Sequence, residues 1–224
     1  LGLQPKRTKA YLNQELEDWA KLGVEGHEHA KNPWMPYHEF LSESYSKIVG
    51  GKKSEVVAMN SLTVNLHLMM VSLYRPITKR NKILIEADAF PSDIYAVNSQ
   101  ISHHGYEPKD TLIKLSSREG ESVVRTEDIE QVIREKGDEV ALIMIGGVNY
   151  YTGQVFDFET ITKLAHKKGI LVGFDLAHAA GNINLQLNKW DADFATWCSY
   201  KYLCGGPGAP SGVYINEKHH DWNG

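Results

Sequence analysis

The sequence has few cysteines, no long apolar run and no cluster of basic residues. Only Cys198 and Cys204 occur in 224 residues, too few for the disulfide framework of a small secreted domain. No apolar run approaches the roughly 20 residues of a membrane-spanning helix, and "LGLQPKRTKAYL" lacks the apolar core of a signal peptide. Lysine and arginine are scattered, and the formal net charge is −4. We therefore expect a cytoplasmic globular protein with no membrane or nucleic-acid partner.

Two helices are predicted before residue 50. Apolar side chains recur at helical spacing at Leu12, Leu16, Trp19 and Leu22, which predicts a helix over residues 8–22. A second helix is predicted over residues 37–49 and ends at a pair of glycines. We therefore divide the chain into an N-terminal helical segment, residues 1–50, and a larger domain, residues 51–224.

The larger domain alternates between strand and helix patterns. Short apolar runs such as "KILIEA", "TLIKL", "VALIMIGGV", "ILVGFD" and "DFATWC" are separated by amphipathic stretches of helical length, and "SGVYIN" follows as a further strand. Nearly continuous apolar runs are typical of strands that are covered on both faces. The order predicts an α/β fold with three layers, αβα, and a mainly parallel sheet.

Polar and aromatic side chains follow four of these predicted strands. The segments are "DAFPSD", "NYYTGQ", "DLAHAAG" and "SYKYL". Ligands of open α/β sheets bind beyond the carboxyl ends of the strands. These side chains are therefore expected to converge on one crevice, which indicates an enzyme.

Asp175 and Lys201 define the chemistry of that crevice. A carboxylate and an amine at neighbouring strand ends meet the needs of pyridoxal 5′-phosphate (PLP): the lysine forms a Schiff base with the aldehyde, and the carboxylate keeps the pyridine nitrogen protonated. Ser61 and Thr63 begin an apolar helix whose N-terminus suits a phosphate. Phe90 offers an aromatic face for the ring.

Each of these residues has an ordinary structural explanation when it is taken alone. A lysine near a strand end usually extends to solvent, an aspartate there usually forms a turn, and Thr63 suits a helix cap. Their combination at successive strand ends favours a cofactor site.

The whole chain resembles the kynureninases, PLP-dependent hydrolases of fold type I, the aspartate aminotransferase-like superfamily. The resemblance is carried by "NSLTVNLHLMM", "EADAFPSDIYA", "YYTGQ", "VGFDLAHAAGN" and "WCSYKYL". It implies hydrolysis of L-kynurenine or 3-hydroxykynurenine to anthranilate or 3-hydroxyanthranilate and L-alanine, in tryptophan catabolism and NAD biosynthesis. It also implies a homodimer. Family members are about twice as long, so we expect a large domain without the C-terminal small domain.

The resemblance assigns five residues around the cofactor ring. It implies that Lys201 binds the aldehyde and that Asp175 pairs with the pyridine nitrogen. It places His178 near the phenolic edge, Phe90 on the ring face and Asp93 in a hydrogen bond at the cofactor.

Five further residues are assigned by the same resemblance. Leu62 and Thr63 would bind the phosphate, and Tyr200 would reach the phosphate and relay a proton. Gly146 matches a cofactor-contacting position at which related enzymes carry serine. His27 matches a histidine of the pocket for the substrate's aryl group.

Other functions stay open at the level of sequence. The Asp-x-x-His and lysine pattern is shared by cysteine desulfurases, selenocysteine lyases and small aminotransferases of the same fold type. "GGPGAPSG" is glycine-rich but matches neither nucleotide-binding motif. The paired histidines lack the spacing of a metal-binding helix, so we expect no functional metal.

Overall fold

One seven-stranded sheet organises the chain, for which the computed structural model describes residues 1–221. The strand order across the sheet is β1-β7-β6-β5-β4-β2-β3. The strands are β1 Val56–Ala58, β2 Lys82–Glu86, β3 Leu112–Leu115, β4 Val140–Gly146, β5 Leu171–Asp175, β6 Phe194–Trp197 and β7 Gly212–Ile215.

The sheet is mostly parallel, as the sequence pattern predicted. Strands β2 to β6 run in the same direction, whereas β7 runs antiparallel to both of its neighbours, β6 and β1. The pairs Gly146–Asp175 and Asp175–Thr196 are in register between adjacent strands. The carboxyl ends of β4, β5 and β6 therefore meet at one edge of the sheet.

Helices cover both faces of the sheet and give three layers. Helices α4 and α5 share one apolar core with alternate strand residues such as Ile85 and Met144. Helices α7 and α8 pack on the other face against residues such as Ile143 and Phe174. The α-helices are α1 Thr8–Leu22, α2 Gly26–His29, α3 Ser42–Val49, α4 Leu62–Leu73, α5 Pro91–His103, α6 Pro108–Thr111, α7 Thr126–Lys136 and α8 Phe158–Lys167.

The structure differs from the predicted elements in three places. The helix predicted over residues 37–49 is interrupted: a 3₁₀ turn spans Tyr37–Glu39, and α3 begins only at Ser42. The short edge strand β1 was not predicted, because three residues are too few to show a periodic pattern. Strand β6 ends at Trp197, so Cys198 lies just after the strand.

The expected division at residue 50 stays a prediction. Tyr45 and Val49 on α3 precede this position and are buried in the same core as β5 and β6. Among residues 1–221, no helix combines the length and the apolar character needed to cross a bilayer.

Candidate active site

A cavity of about 440 Å³ opens at the carboxyl edge of the sheet. Its volume lies within the range of small-molecule sites. Nine of the ten residues that the sequence assigned to a site line it: Leu62, Thr63, Phe90, Asp93, Gly146, Asp175, His178, Tyr200 and Lys201. The predicted convergence of strand ends is therefore present in the structure.

Lys201 extends from the turn after β6 into this cavity. Its Nζ lies 3.1 Å from Nε2 of His178. It also lies 5.9 Å from the centre of the Phe90 ring and 5.8 Å from that of Tyr200. Lys201 is the one lysine or arginine among the lining residues. Burial, followed by the positive charge of Lys201, lowers the pKa of His178, which favours the neutral imidazole beside the amine.

Asp175 ends β5 and is 7% exposed. Its Oδ1 accepts the backbone N–H of Ala177 at 2.7 Å, and burial raises the pKa of its carboxyl. Burial, followed by the charge of Asp175, raises the pKa of Asp93 to about 9. Asp93 is therefore protonated near neutral pH and places no negative charge beside Asp175.

Asp193, at the opposite edge of the sheet, shows how a purely structural buried acid is held. It is fully buried and accepts hydrogen bonds from the backbone N–H of Val172 and from His166 and His219. Nζ of Lys218 lies 2.9 Å from its Oδ1. Burial alone would raise the pKa of Asp193, but these hydrogen bonds outweigh it and hold the pKa below its ordinary range. Asp175 has no such set of cations, and its carboxylate faces the cavity.

Glu86, the last residue of β2, is a third buried carboxyl of the cavity. It is 4% exposed, and its Oε1 accepts the backbone N–H of Gly146 at 3.1 Å. Burial raises the pKa of Glu86 to about 7. The side chain therefore changes charge near neutral pH and carries a negative charge above it.

The raised pKa of Glu86 predicts a specific dependence of stability on pH. A carboxyl whose pKa is higher in the folded protein stabilises the fold below the unfolded pKa, and this stabilisation is lost as pH rises through the folded pKa. The shift in Glu86 is from 4.5 to about 7. As the pH rises from 5 to 8, we expect the unfolding free energy of the natural protein to fall by about 2 kcal/mol more than that of Glu86→Gln.

Urea unfolding of the cofactor-free protein at the two pH values measures this difference. Asp88→Asn is the matched control, because Asp88 is exposed, lies two residues away and does not line the cavity. An equal pH dependence for natural protein and Glu86→Gln would show that Glu86 is ionised at its ordinary pKa.

The other end of the cavity is formed by the start of helix α4. Ser61 is the capping residue of this helix, but its hydroxyl makes no capping hydrogen bond. The hydroxyls of Ser61 and Thr63 both line the cavity. The N-terminus of a twelve-residue helix with adjacent hydroxyls suits a phosphate group.

Aromatic side chains line the wall between the two ends. Phe90 is half-exposed at the cavity and packs edge-on against Tyr150, with ring centres 5.2 Å apart. Tyr200 lines the cavity from the turn after β6. Burial raises the pKa of Tyr200, so its phenol keeps its proton and acts as a donor near neutral pH.

His27 is the one assigned residue that the structure does not bring to the cavity. It lies in α2, with Nδ1 2.9 Å from the carbonyl oxygen of Val24 and its ring edge-on to Trp34. Its assignment to the substrate stays a prediction. Gly146 does line the cavity, and a Cβ there would lie 2.8 Å from Oε1 of Glu86. The space beside residue 146 is thus taken by the Glu86 carboxyl.

The sequence reasoning missed Glu86, Ser92, Asn149 and Tyr150, which also line the cavity. The signal for Glu86 was present, because an acid that ends an apolar strand follows the same logic as Asp175. Asn149 is explained by structure: its side chain accepts the backbone N–H groups of Tyr151 and Thr152 and shapes the loop after β4.

The fold and the cavity define an α/β protein of three layers with a cavity at the carboxyl ends of adjacent parallel strands. The profile of the aminotransferase class-V family matches residues 3–219. The chain therefore belongs to the aminotransferase class-V family.

Known proteins of two kinds are similar to this chain. The kynureninase of Flavobacterium johnsoniae is 59% identical over 221 residues, which is 99% of this chain and 52% of that protein. The chain thus spans about half the length of the curated relatives it matches. Among solved structures, a cystine C-S lyase in complex with cysteine persulfide superposes with a TM-score of 0.81 at 14% identity, over 97% of this chain and 55% of the other. A cysteine desulfurase from Thermococcus onnurineus superposes with a TM-score of 0.72 at 20% identity, over 98% of this chain and 52% of the other. These two structures show the shared fold alone.

Proposed function

We propose that this chain forms the cofactor-binding half of a kynureninase, which hydrolyses L-kynurenine or 3-hydroxykynurenine to anthranilate or 3-hydroxyanthranilate and L-alanine. The observation that carries the proposal is the cavity that contains Lys201 and Asp175 together with seven other residues assigned from the sequence. The identity of 59% with a kynureninase over nearly the whole chain supports the choice of reaction.

The residues of the cavity fit PLP. Asp175 is a buried carboxylate that faces the cavity, as pairing with a protonated pyridine nitrogen requires. The start of α4, at the other end of the cavity from Asp175, offers hydroxyls and backbone N–H groups to the phosphate. Phe90 offers a ring face, and Lys201 offers the amine for the aldehyde. When bound, PLP supplies a covalent link to the substrate amine and an electron sink for the breaking bonds.

Lys201 and His178 are suited to move the substrate's α-proton. When it is not bonded to the cofactor, the free Nζ of Lys201 would accept the proton from the substrate's α-carbon. Nε2 of His178, 3.1 Å away, holds the amine in place. General acid–base assistance of this kind contributes about 10²–10⁴-fold.

Tyr200 and Asp93 hold protons at two other points of the cavity. Tyr200 keeps its phenolic proton and can donate it to a developing carbanion or to a phosphate oxygen. Asp93 stays protonated, so Asp175 faces no second negative charge from it and its carboxylate is available to the ring nitrogen. In this arrangement the two acids have different roles because only one of them is ionised.

The alternative of a cysteine desulfurase or selenocysteine lyase finds less support. Such chemistry needs a reactive thiolate on an accessible loop. Cys198 is buried, and burial raises its pKa, which opposes thiolate formation. Of the two cysteines, Cys204 alone is partly exposed. A small aminotransferase shares the fold, but the kynureninase relatives give it no specific support.

We also propose that the protein acts as a cytoplasmic homodimer. Helix α4 is rich in apolar residues, and three of them, Val64, Leu68 and Val71, are exposed on its outer side. A helix of this composition is normally covered. Because α4 begins at the cavity, a second copy packed on this face would lie next to the site. We expect sedimentation to give the mass of two chains.

Turnover by the protein of full natural length tests the proposed function. We expect release of anthranilate from L-kynurenine and of 3-hydroxyanthranilate from 3-hydroxykynurenine, each followed by its ultraviolet spectrum, and no sulfide from L-cysteine. Sulfide release without anthranilate would contradict the proposal and support a desulfurase.

A further inference from the structure

The first two residues of the chain lie against the turn that carries Lys201. The backbone N–H of Gly2 donates to the carbonyl oxygen of Tyr200 at 2.9 Å. Leu1 and Gly2 also line a second cavity of about 410 Å³, whose walls include His178 and Lys201. Because His178 and Lys201 line both cavities, Leu1 and Gly2 form part of the surroundings of the site.

Residue 2 has no room for a side chain. A Cβ on Gly2 would lie 2.2 Å from the carbonyl oxygen of Lys201 and 2.7 Å from Sγ of Cys204, whereas real Cβ atoms keep at least 3.0 Å. The cysteine side chain can rotate, but the carbonyl oxygen belongs to the backbone. An alanine at this position would therefore displace either the N-terminal segment or residue 201 itself.

The turn that carries Lys201 is held firmly on its inner side. The N–H of Gly205 donates to the carbonyl oxygen of Ser199 at 2.9 Å. The hydroxyl of Ser199 donates to the carbonyl oxygen of Pro210 at 2.6 Å. Cys204 adopts a positive φ of 58°, a conformation that costs energy for a residue with a side chain. The turn is thus held by its own hydrogen bonds and by the hydrogen bond from Gly2 to Tyr200.

We propose that Gly2 is a positioning residue for Lys201, whose close backbone contact sets the place of the lysine amine in the cavity and tolerates only glycine. The inference rests on the proposed function, because it concerns the bond between Lys201 and the aldehyde of PLP. Gly2 lies at the opposite end of the sequence from Lys201, and no motif in "LGLQPK" predicts the contact between them.

The test compares two forms of the cofactor on the cofactor-free protein of full natural length. Pyridoxal 5′-phosphate can bond to Lys201, whereas pyridoxamine 5′-phosphate has no aldehyde and binds without that bond. We expect Gly2→Ala to weaken the affinity for the pyridoxal form about tenfold or more, since displacement of a reacting group by about 1 Å is costly. The affinity for the pyridoxamine form is expected to stay within about twofold, because the helix α4 end and Asp175 are untouched.

Leu3→Ala is the matched control. Leu3 belongs to the same segment but is 87% exposed, so both affinities are expected to stay at their natural values. Urea unfolding of Gly2→Ala verifies that the variant is folded. An unchanged affinity of Gly2→Ala for the pyridoxal form, or an equal loss for both forms, would overturn the inference. If the natural protein binds neither form, the proposed function fails together with it.

Discussion

Replacement of Lys201 with alanine is expected to abolish the violet absorption of the cofactor-loaded protein and to lower L-kynurenine turnover by at least about a thousandfold. In the proposed function both losses have the same cause, because one amine would link the cofactor and would accept the substrate's α-proton. The amine lies among His178, Phe90 and Tyr200. Among residues 1–221, no other lysine lines the cavity to replace it.

Lys201→Arg distinguishes this chemistry from a need for positive charge alone. Arginine keeps the charge, but its guanidinium stays protonated and neither bonds to the aldehyde nor accepts a proton. We expect this variant to lose the absorption and the turnover as completely as Lys201→Ala does. Substantial turnover by Lys201→Arg would contradict the role of the amine as a nucleophile and base.

Asp175→Asn is expected to lower turnover by roughly a hundredfold or more and to change the absorption spectrum of the bound cofactor. Asparagine has the same shape but no charge, so the protonated ring nitrogen loses a buried partner. Loss of one member of a buried ion pair costs about 3 kcal/mol or more, which is a factor of roughly 10². The Ala177 N–H that now binds Oδ1 can still bind the amide oxygen, so the fold around the variant is expected to persist.

Asp193→Asn is the matched control for this variant. Asp193 is also a buried acid beside a strand of the sheet, but its partners are His166, His219 and Lys218 at the opposite edge. We expect Asp193→Asn to lower the urea midpoint of unfolding while the cofactor spectrum and the turnover of the folded protein stay natural. If Asp193→Asn changed the spectrum as Asp175→Asn does, the special role of Asp175 would be wrong.

The sequence was sufficient for six of the seven strands and for most of the cavity. Continuous apolar runs such as "VALIMIGGV" identify strands that are covered on both faces, and the position of Asp175 and Lys201 after such runs predicts where they meet. Because parallel strands present their carboxyl ends at one edge of the sheet, residues that follow adjacent strands are predicted to lie in one site. The resemblance of motifs then supplied residues such as Asp93 and Leu62.

Features that depend on contacts between distant segments were beyond the sequence. The contact of Gly2 with the carbonyl oxygen of Lys201 joins residues about 200 positions apart. The raised pKa of Glu86 follows from burial beside Gly146, and no local pattern reveals burial of that degree. The raised pKa of Asp93 follows from its burial and from the charge of Asp175, and both depend on the approach of α5 to the end of β5.

The site of covalent attachment tests the central claim most directly. Borohydride reduction of the protein loaded with pyridoxal 5′-phosphate makes the bond to lysine permanent, and mass spectrometry of the peptides then locates it. We expect one phosphopyridoxyl group per chain on the peptide that contains Lys201, and none in Lys201→Arg. A label distributed over surface lysines, with Lys201 unmodified, would contradict the account.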